Sequence, residues 1–243
     1  MTAFHGFILY PKMTNLIFEP ANSDTEFFEK ALDDLVFSIK EILSEYDECR
    51  IGLAGGKTPK KLYTLLAKEK LPWEKIRIIQ IDERYVLSDD PSSNLKMLRD
   101  TLLKQVPIPP ENIITFDTSL PMQSAAKEMS RKMIALSHHR FPIIDIIVLG
   151  AGADGHIASL FEDTDSLSCP YYACAEVIEG VEIPERLTLS LITLKSSKRA
   201  LLLLKGAEKK PVLSALKGEI KEPKITALKE LAEKMPIKVH YFF

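Results

Sequence analysis

The run from Asp145 to Leu149 constrains this chain more than any other stretch. It is short, apolar and β-branched, and it ends in three glycines within six positions, Gly150, Gly152 and Gly155. A run without polar alternation suits a strand buried on both faces, which requires a parallel sheet with structure packed above and below it. The glycines allow a tight turn and close approach of backbone to a ligand. Beyond them, His156 to Phe161 carries good helix formers with an apolar face, so the stretch predicts a strand, a glycine turn and a helix start. Open α/β sheets bind ligands there, outside the carboxyl ends of the strands. Asp154 and His156 sit in that turn, two residues apart.

Histidine titrates near neutrality and is the commonest general base, and a nearby carboxylate raises its basicity and fixes its tautomer. The pair is the candidate reaction centre. A helix-capping Asp154 followed by a surface His156 is the alternative. A metal held by Asp154, His156 and Asp82 would lack the HExxH or CxxC ligand spacing, so no metal is expected. His5, His138, His139 and His240 fall in a terminus, a helix end and an edge strand, where solvated or structural roles are expected.

The rest of the chain alternates in the same way. Asn15 to Phe18 forms the apolar core of a first strand, and Ser23 or Asp24 caps a helix with apolar positions from Phe27 to Leu43. Arg50 to Ala54 and Arg77 to Ile81 are strands. Between them Thr58 suits an N-cap and Pro59 a first helical residue, giving a helix to about Lys70. Helices are expected from Ser92 or Ser93 to Leu103 and from Gln123 to Leu136, with a strand at Ile113 to Phe116 between them. Glu162 to Pro184 is expected to be irregular. Arg186 to Ile192 alternates as a half-buried strand, and Arg199 to Leu204 is a fully buried one. Glu208 to Leu216 and Thr226 to Lys234 are the last helices, and Lys238 to Phe242 closes the chain as a possible antiparallel edge strand. Strands alternating with helices imply an α/β fold: a single doubly wound, mostly parallel sheet with helices on both faces, Rossmann-like, in one domain over residues 1–243.

Bulk properties narrow the partners. The 243 residues carry a net charge of −2 without a run of five like charges, so neither nucleic acid nor an anionic membrane is expected as a partner. No 18-residue apolar run occurs, and the first ten residues lack the features of a signal peptide. Cys49, Cys169 and Cys174 form no CxxC pair and are odd in number, which fits a reduced, cytoplasmic compartment.

Gly55-Gly56-Lys57-Thr58-Pro59 lies between a strand and a helix N-terminus, where free N–H groups and the positive dipole end favour an anion. The GxxxxGK[ST] spacing is absent, so a nucleoside triphosphate is not implied. A plain turn with a capped helix is the alternative. Asp82-Glu83-Arg84 ends a strand; its first two residues point to opposite faces, and Arg84 has a planar fork for a negatively charged oxygen. An exposed ion-pair cluster is the other reading of that triplet. No GxSxG elbow occurs and no cysteine sits in a nucleophile turn, which disfavours covalent catalysis.

Together these stretches resemble the 6-phosphogluconolactonase family, within the wider group that includes glucosamine-6-phosphate deaminases. The residues that carry the resemblance are Ala54 to Pro59, Asp82 to Arg84, Ser93-Asn94, Leu149 to Phe161, Arg186 to Thr188 and Gly206 to Lys209, in that order. Deaminases of the group have an acidic residue seven positions after the Asp of the Asp-Gly-His motif, and Phe161 stands there in this chain, with Glu162 one residue late. Lys57 replaces the usual Ser, and Val86-Leu87 stands where Val-Pro is usual. The resemblance implies hydrolysis of 6-phospho-D-glucono-1,5-lactone to 6-phospho-D-gluconate by water activated at His156 and oriented through Asp154, without metal or organic cofactor. It implies phosphate binding at Gly55, Gly56, Lys57 and Thr58 with Lys209, and a contact from Arg186. Arg84 would serve either the phosphate or the developing oxyanion. A glucosamine-6-phosphate deaminase/isomerase and a non-catalytic sugar-phosphate sensor are the alternatives; the sensor would carry an attached DNA-binding segment. The partner is a small sugar-phosphate lactone, and a monomer or weak homodimer is expected.

Overall fold

The computed structural model describes residues 15–243, so His5 and the start of the expected first segment lie outside the described residues. In order, the elements are β1 (Leu16–Pro20), α1 (Asp24–Glu45), β2 (Cys49–Leu53), α2 (Lys57–Leu66), β3 (Ile76–Gln80), β4 (Asp82–Arg84), α3 (Asn94–Leu98), β5 (Ile113–Ile114) and α4 (Met122–His139). They continue with β6 (Ile146–Gly150), β7 (Ala173–Val177), β8 (Glu185–Leu189), α5 (Leu191–Lys195), β9 (Arg199–Lys205), α6 (Lys210–Leu216), α7 (Thr226–Ala232) and β10 (Ile237–Phe242).

Seven strands form a parallel sheet in the order β1-β10-β9-β6-β2-β3-β5, and β4, β8 and β7 form a separate antiparallel sheet. Alternation within each apolar run sends side chains to two cores. Ile147, Leu149, Leu202 and Leu204 meet α4, α5, α6, α7 and the small sheet. Ile146, Val148, Leu201 and Leu203 meet α1, α2 and α3. The doubly wound expectation therefore holds. The chain runs outward from β2 through β3 to β5 and then returns to β6 on the other side of β2. That reversal opens a crevice beyond the carboxyl ends of β2 and β6. At the opposite edge Asp145, fully buried, accepts hydrogen bonds from Arg50 N at 2.8 Å and from both terminal nitrogens of Arg140 at 2.8 and 2.6 Å. These contacts lock β6 beside β2.

Several local expectations fail for tertiary reasons. The helix after the glycine turn is absent: His156 to Leu160 forms a turn held by isolated bridges, with Ala158 at φ 51°. Buried Ile157 and Leu160 hold that turn to the core in place of a helix. The α2 helix begins at Lys57 with Gly56 as its cap and no side-chain cap, so Thr58 lies inside the first turn, and the helix stops at Leu66 rather than near Lys70. β10 is neither antiparallel nor an edge: it pairs in parallel with β1 and β9, and burial pushes His240 on it down to about 4. The region from Glu162 to Pro184 contains β7, ordered by its pairing with β8. The half-buried strand expected to reach Ile192 ends at Leu189, where α5 follows with Ser190 as its cap. Against the reduced compartment expected from the cysteines, Cys169 and Cys174 are disulfide-bonded with Cα atoms 6.5 Å apart, and Cys49 is a free buried thiol.

Asp82 and Glu83 are buried, 5% and 1% exposed, which rules out the exposed ion-pair cluster. The Glu83 carboxylate accepts from Gln80 Nε2, Ser93 Oγ and the backbone N–H groups of Arg84, Asn94 and Leu95, all within 2.7–2.9 Å. It ties β4 to the start of α3. Burial pushes its carboxyl above the ordinary glutamate range against the pull of those donors. Removing it leaves those donors buried without an acceptor, so Glu83→Ala is expected to cost about 3 kcal/mol of stability. Urea unfolding measures this, and an unchanged midpoint would show that water replaces the carboxylate there.

Candidate active site

Six segments converge at the crevice: the β2–α2 turn, β4, the start of α3, the loop after β6, β8 and the turn from β9 to α6. They enclose a cleft of about 260 Å³. Gly55, Gly56, Lys57, Thr58, Arg84, His156, Arg186 and Lys209 all line it. Asp154 does not, but it touches His156 from behind. A larger groove of about 730 Å³ runs along α4 and β7, and none of the candidate residues lines it.

The Asp154–His156 pair is built by a loop rather than by a helix. Asp154 Oδ1 lies 2.6 Å from His156 Nδ1 and 3.4 Å from its backbone N. In the neutral imidazole, a carboxylate at that position is matched by the tautomer with its proton on Nδ1, which leaves the lone pair on Nε2. The imidazole beside it holds the Asp154 carboxyl below the usual aspartate range. A carboxyl so depressed stays ionised at neutral pH, and its contribution to holding the loop is lost only as pH falls through that lowered value. The loop admits the pair because of Gly152: a Cβ there would stand 2.1 Å from Asp154 Oδ1 and 2.3 Å from His156 Nδ1. The ring of Phe161 stacks on the imidazole. Glu162, one residue on, accepts from Thr226 N at 2.6 Å and Thr226 Oγ1 at 2.8 Å, so it is committed to the start of α7.

The anion side is built from α2. Gly56 has φ 113°, a conformation side-chain-bearing residues rarely adopt, and it turns the chain directly into the helix. The first N–H groups of a helix have no intrahelical acceptor, and the dipole adds positive charge there. Lys57 is exposed at this rim and Lys209 is half-buried. Lys205 also lines the cleft but is paired with Asp24 at 3.0 Å.

Arg84 and Arg186 enter from the antiparallel sheet, directly opposite one another in the β4–β8 register. Arg84 donates through Nη1 to Ser92 O at 2.8 Å, and its buried Nε has no partner among the described residues. Arg186 donates through Nε to Ile183 O at 2.7 Å. Burial, and then the neighbouring Arg84, push the Arg186 guanidinium below its ordinary range. Two adjacent, partly desolvated cations favour an anion between them.

Three contributors were not singled out from the sequence as site residues. Asp82 lines the cleft and accepts from Ser159 Oγ at 3.0 Å, joining β4 to the histidine loop. Asn94 donates from Nδ2 to Asp82 O at 3.0 Å. Phe161 was weighed as a departure from an acidic position and as the end of the motif stretch, without a role at the site. For Asp82 the available signal was its place at the end of a buried strand. Asn94 and Phe161 lie in stretches that carry the family resemblance, but nothing in those stretches gave their contacts, since a turn brings Phe161 back and a distant helix start brings Asn94 in. No three metal-ligating side chains are gathered among the described residues. No helix among them is long and apolar enough to cross a membrane.

Comparison with known proteins gives a consistent picture. The family model described as glucosamine-6-phosphate isomerases/6-phosphogluconolactonase matches residues 22–234. The 6-phosphogluconolactonase of Synechocystis sp. is 37% identical over 186 residues, which is 74% of this chain and 76% of that protein. The 6-phosphogluconolactonase of Thermotoga maritima is 33% identical over 171 residues, 70% of this chain and 76% of that one. A crystal structure of 6-phosphogluconolactonase from Thermotoga maritima superposes with a TM-score of 0.83 at 27% identity, covering 93% of this chain and all of the other.

The geometry at Gly152 yields a direct test. Gly152→Ala is expected to separate Asp154 from His156, abolishing the downfield proton resonance of a hydrogen-bonded Nδ1–H while the protein stays folded. Retention of that resonance in the variant would contradict the close approach described above.

Proposed function

The chain belongs to the family of glucosamine-6-phosphate isomerases and 6-phosphogluconolactonases, and from that premise we propose that it hydrolyses 6-phospho-D-glucono-1,5-lactone to 6-phospho-D-gluconate. This is the second step of the oxidative pentose phosphate pathway. The observation that carries the reading is the Asp154–His156 pair at the wall of a cleft lined by cations. The isomerase branch is less well supported. Phe161 puts a phenyl ring on the imidazole, and the adjacent Glu162 is engaged by Thr226 and does not assist the histidine.

In the proposed reaction the substrate phosphate rests on the turn of Gly55, Gly56, Lys57 and Thr58, with Lys209 as its side-chain cation. Arg186 contacts the substrate from the antiparallel sheet. His156 Nε2 takes a proton from water as the water oxygen bonds to the lactone carbonyl carbon. Asp154 stabilises the imidazolium that forms. Arg84, on the cleft wall, faces the negative charge that develops on the carbonyl oxygen. When the bond from that carbon to the ring oxygen breaks, the same imidazolium returns the proton to the ring oxygen. One water is consumed, the carbonyl becomes a carboxylic acid that ionises, and no redox step or organic cofactor enters.

Lactones open spontaneously, so the catalytic groups need lower the barrier only modestly. Positioned acid–base catalysis supplies about 10²- to 10⁴-fold. In a pH-stat assay on freshly generated lactone, His156→Ala is expected to lose that factor in kcat with little change in KM. Lys209→Ala, which removes one charged contact to phosphate, should raise KM about 10- to 100-fold and spare kcat. Full turnover by His156→Ala would overturn the base assignment, and ammonia release from glucosamine 6-phosphate by the wild type would favour the isomerase branch.

A further inference from the structure

The chain after His156 doubles back on itself. Leu160 N donates to Ile157 O at 2.9 Å, and bridges join Ile157 to both Ala151 and Leu160. Ala158, at φ 51°, makes the reversal possible. A non-glycine residue in that region is disfavoured by about 1–2 kcal/mol, so neighbouring contacts must hold the turn. They are on both sides of it: Ile157 and Leu160 are buried in the core, Ser159 Oγ is bonded to Asp82 at 3.0 Å, and Glu162 is bonded to Thr226. The result is that position 161 faces position 156. The two rings lie 3.9 Å apart between centroids at an interplanar angle of 23°. Phe161 is 8% exposed, whereas the His156 side chain keeps 28% of its surface.

A hydrogen bond to Nδ1 fixes one atom of an imidazole, and the ring remains free to swing about that contact. A flat ring against its face removes that freedom. The two constraints act on different coordinates: Asp154 sets the tautomer and anchors Nδ1, and Phe161 sets the plane in which Nε2 points. We propose that Phe161 is a positioning residue for the reaction, holding the imidazole of His156 so that Nε2 stays aimed into the cleft. The catalytic part of this inference rests on the reading of His156 as the base, whereas the stacking can be tested without it. A residue serving only to fill the core would affect stability, and turnover only to the extent that the fold suffered.

The test separates those roles. Phe161→Leu keeps an apolar side chain and removes the flat face; Phe161→Tyr keeps the ring. In the wild-type protein the carbon-bound imidazole protons of His156 are expected upfield, displaced by the Phe161 ring current, with nitrogen shifts of one Nδ1–H tautomer. This signature needs no variant, and its absence would overturn the proposal. In Phe161→Leu the displacement should vanish, and kcat should fall about 10- to 100-fold, the scale set by misorientation of a reacting group. KM should stay within about two-fold, since nothing that binds phosphate has moved. Phe161→Tyr should restore kcat to within about two-fold of wild type. Unchanged kcat in a folded Phe161→Leu protein, or a change confined to KM, would overturn the positioning role. Should His156→Ala keep its turnover, the base assignment falls, while the imidazole spectrum still reports whether Phe161 holds the ring.

Discussion

A strand covered on both faces can carry few polar side chains between its ends, because each one must find a buried partner. Of the seven strands in the main sheet, β3, β6 and β9 send buried apolar side chains into both hydrophobic cores. Because all seven are parallel, their carboxyl ends share one edge, and the chemistry gathers there. β2 delivers the Gly55–Thr58 turn, β6 the Asp154–His156 loop and β9 the turn with Lys209. The reversal of strand order between β2 and β6 keeps two of those loops from closing over each other. The buried charges at the opposite edge, centred on Asp145, hold the strands in register.

The antiparallel sheet completes what the parallel sheet cannot supply. A loop set built only on parallel strand ends would present N–H groups and lysines. β4 and β8 add two guanidiniums fixed opposite each other by backbone register. Glu83 and Asp82 then divide the labour according to the pleat. Glu83 points away to secure α3, and Asp82 points to the cleft to secure the histidine loop through Ser159. The site is thereby held by buried polar contacts between elements far apart in sequence, with little of its precision left to the loops themselves.

Much of this is legible in the sequence. The strands announce themselves as uninterrupted apolar runs, and their alternation with helices dictates a parallel sheet with its ligand edge at the glycine turns. The residues from Gly55 to Thr58, with Arg84, His156, Arg186 and Lys209, do line one cleft. What escaped was decided by partners distant in the chain. His156 to Phe161 has helix-forming composition, but Ile157 and Leu160 are buried and the segment turns instead. β7 is a short run that becomes a strand only against β8. β10 resembles an edge because it is terminal, yet β1 from the other end of the chain covers it. Local propensity could not foresee these pairings, nor the return of Phe161 to the imidazole.

The central claim is that one cleft holds phosphate and reacting carbon at the same time, with His156 at the carbon. A crystal structure of the protein with 6-phosphogluconate bound tests it most directly. The phosphate is expected against the Gly55–Thr58 turn and Lys209, with the C1 carboxylate within hydrogen-bond reach of His156 Nε2. A phosphate seated between Arg84 and Arg186, with C1 turned away from His156, would contradict it.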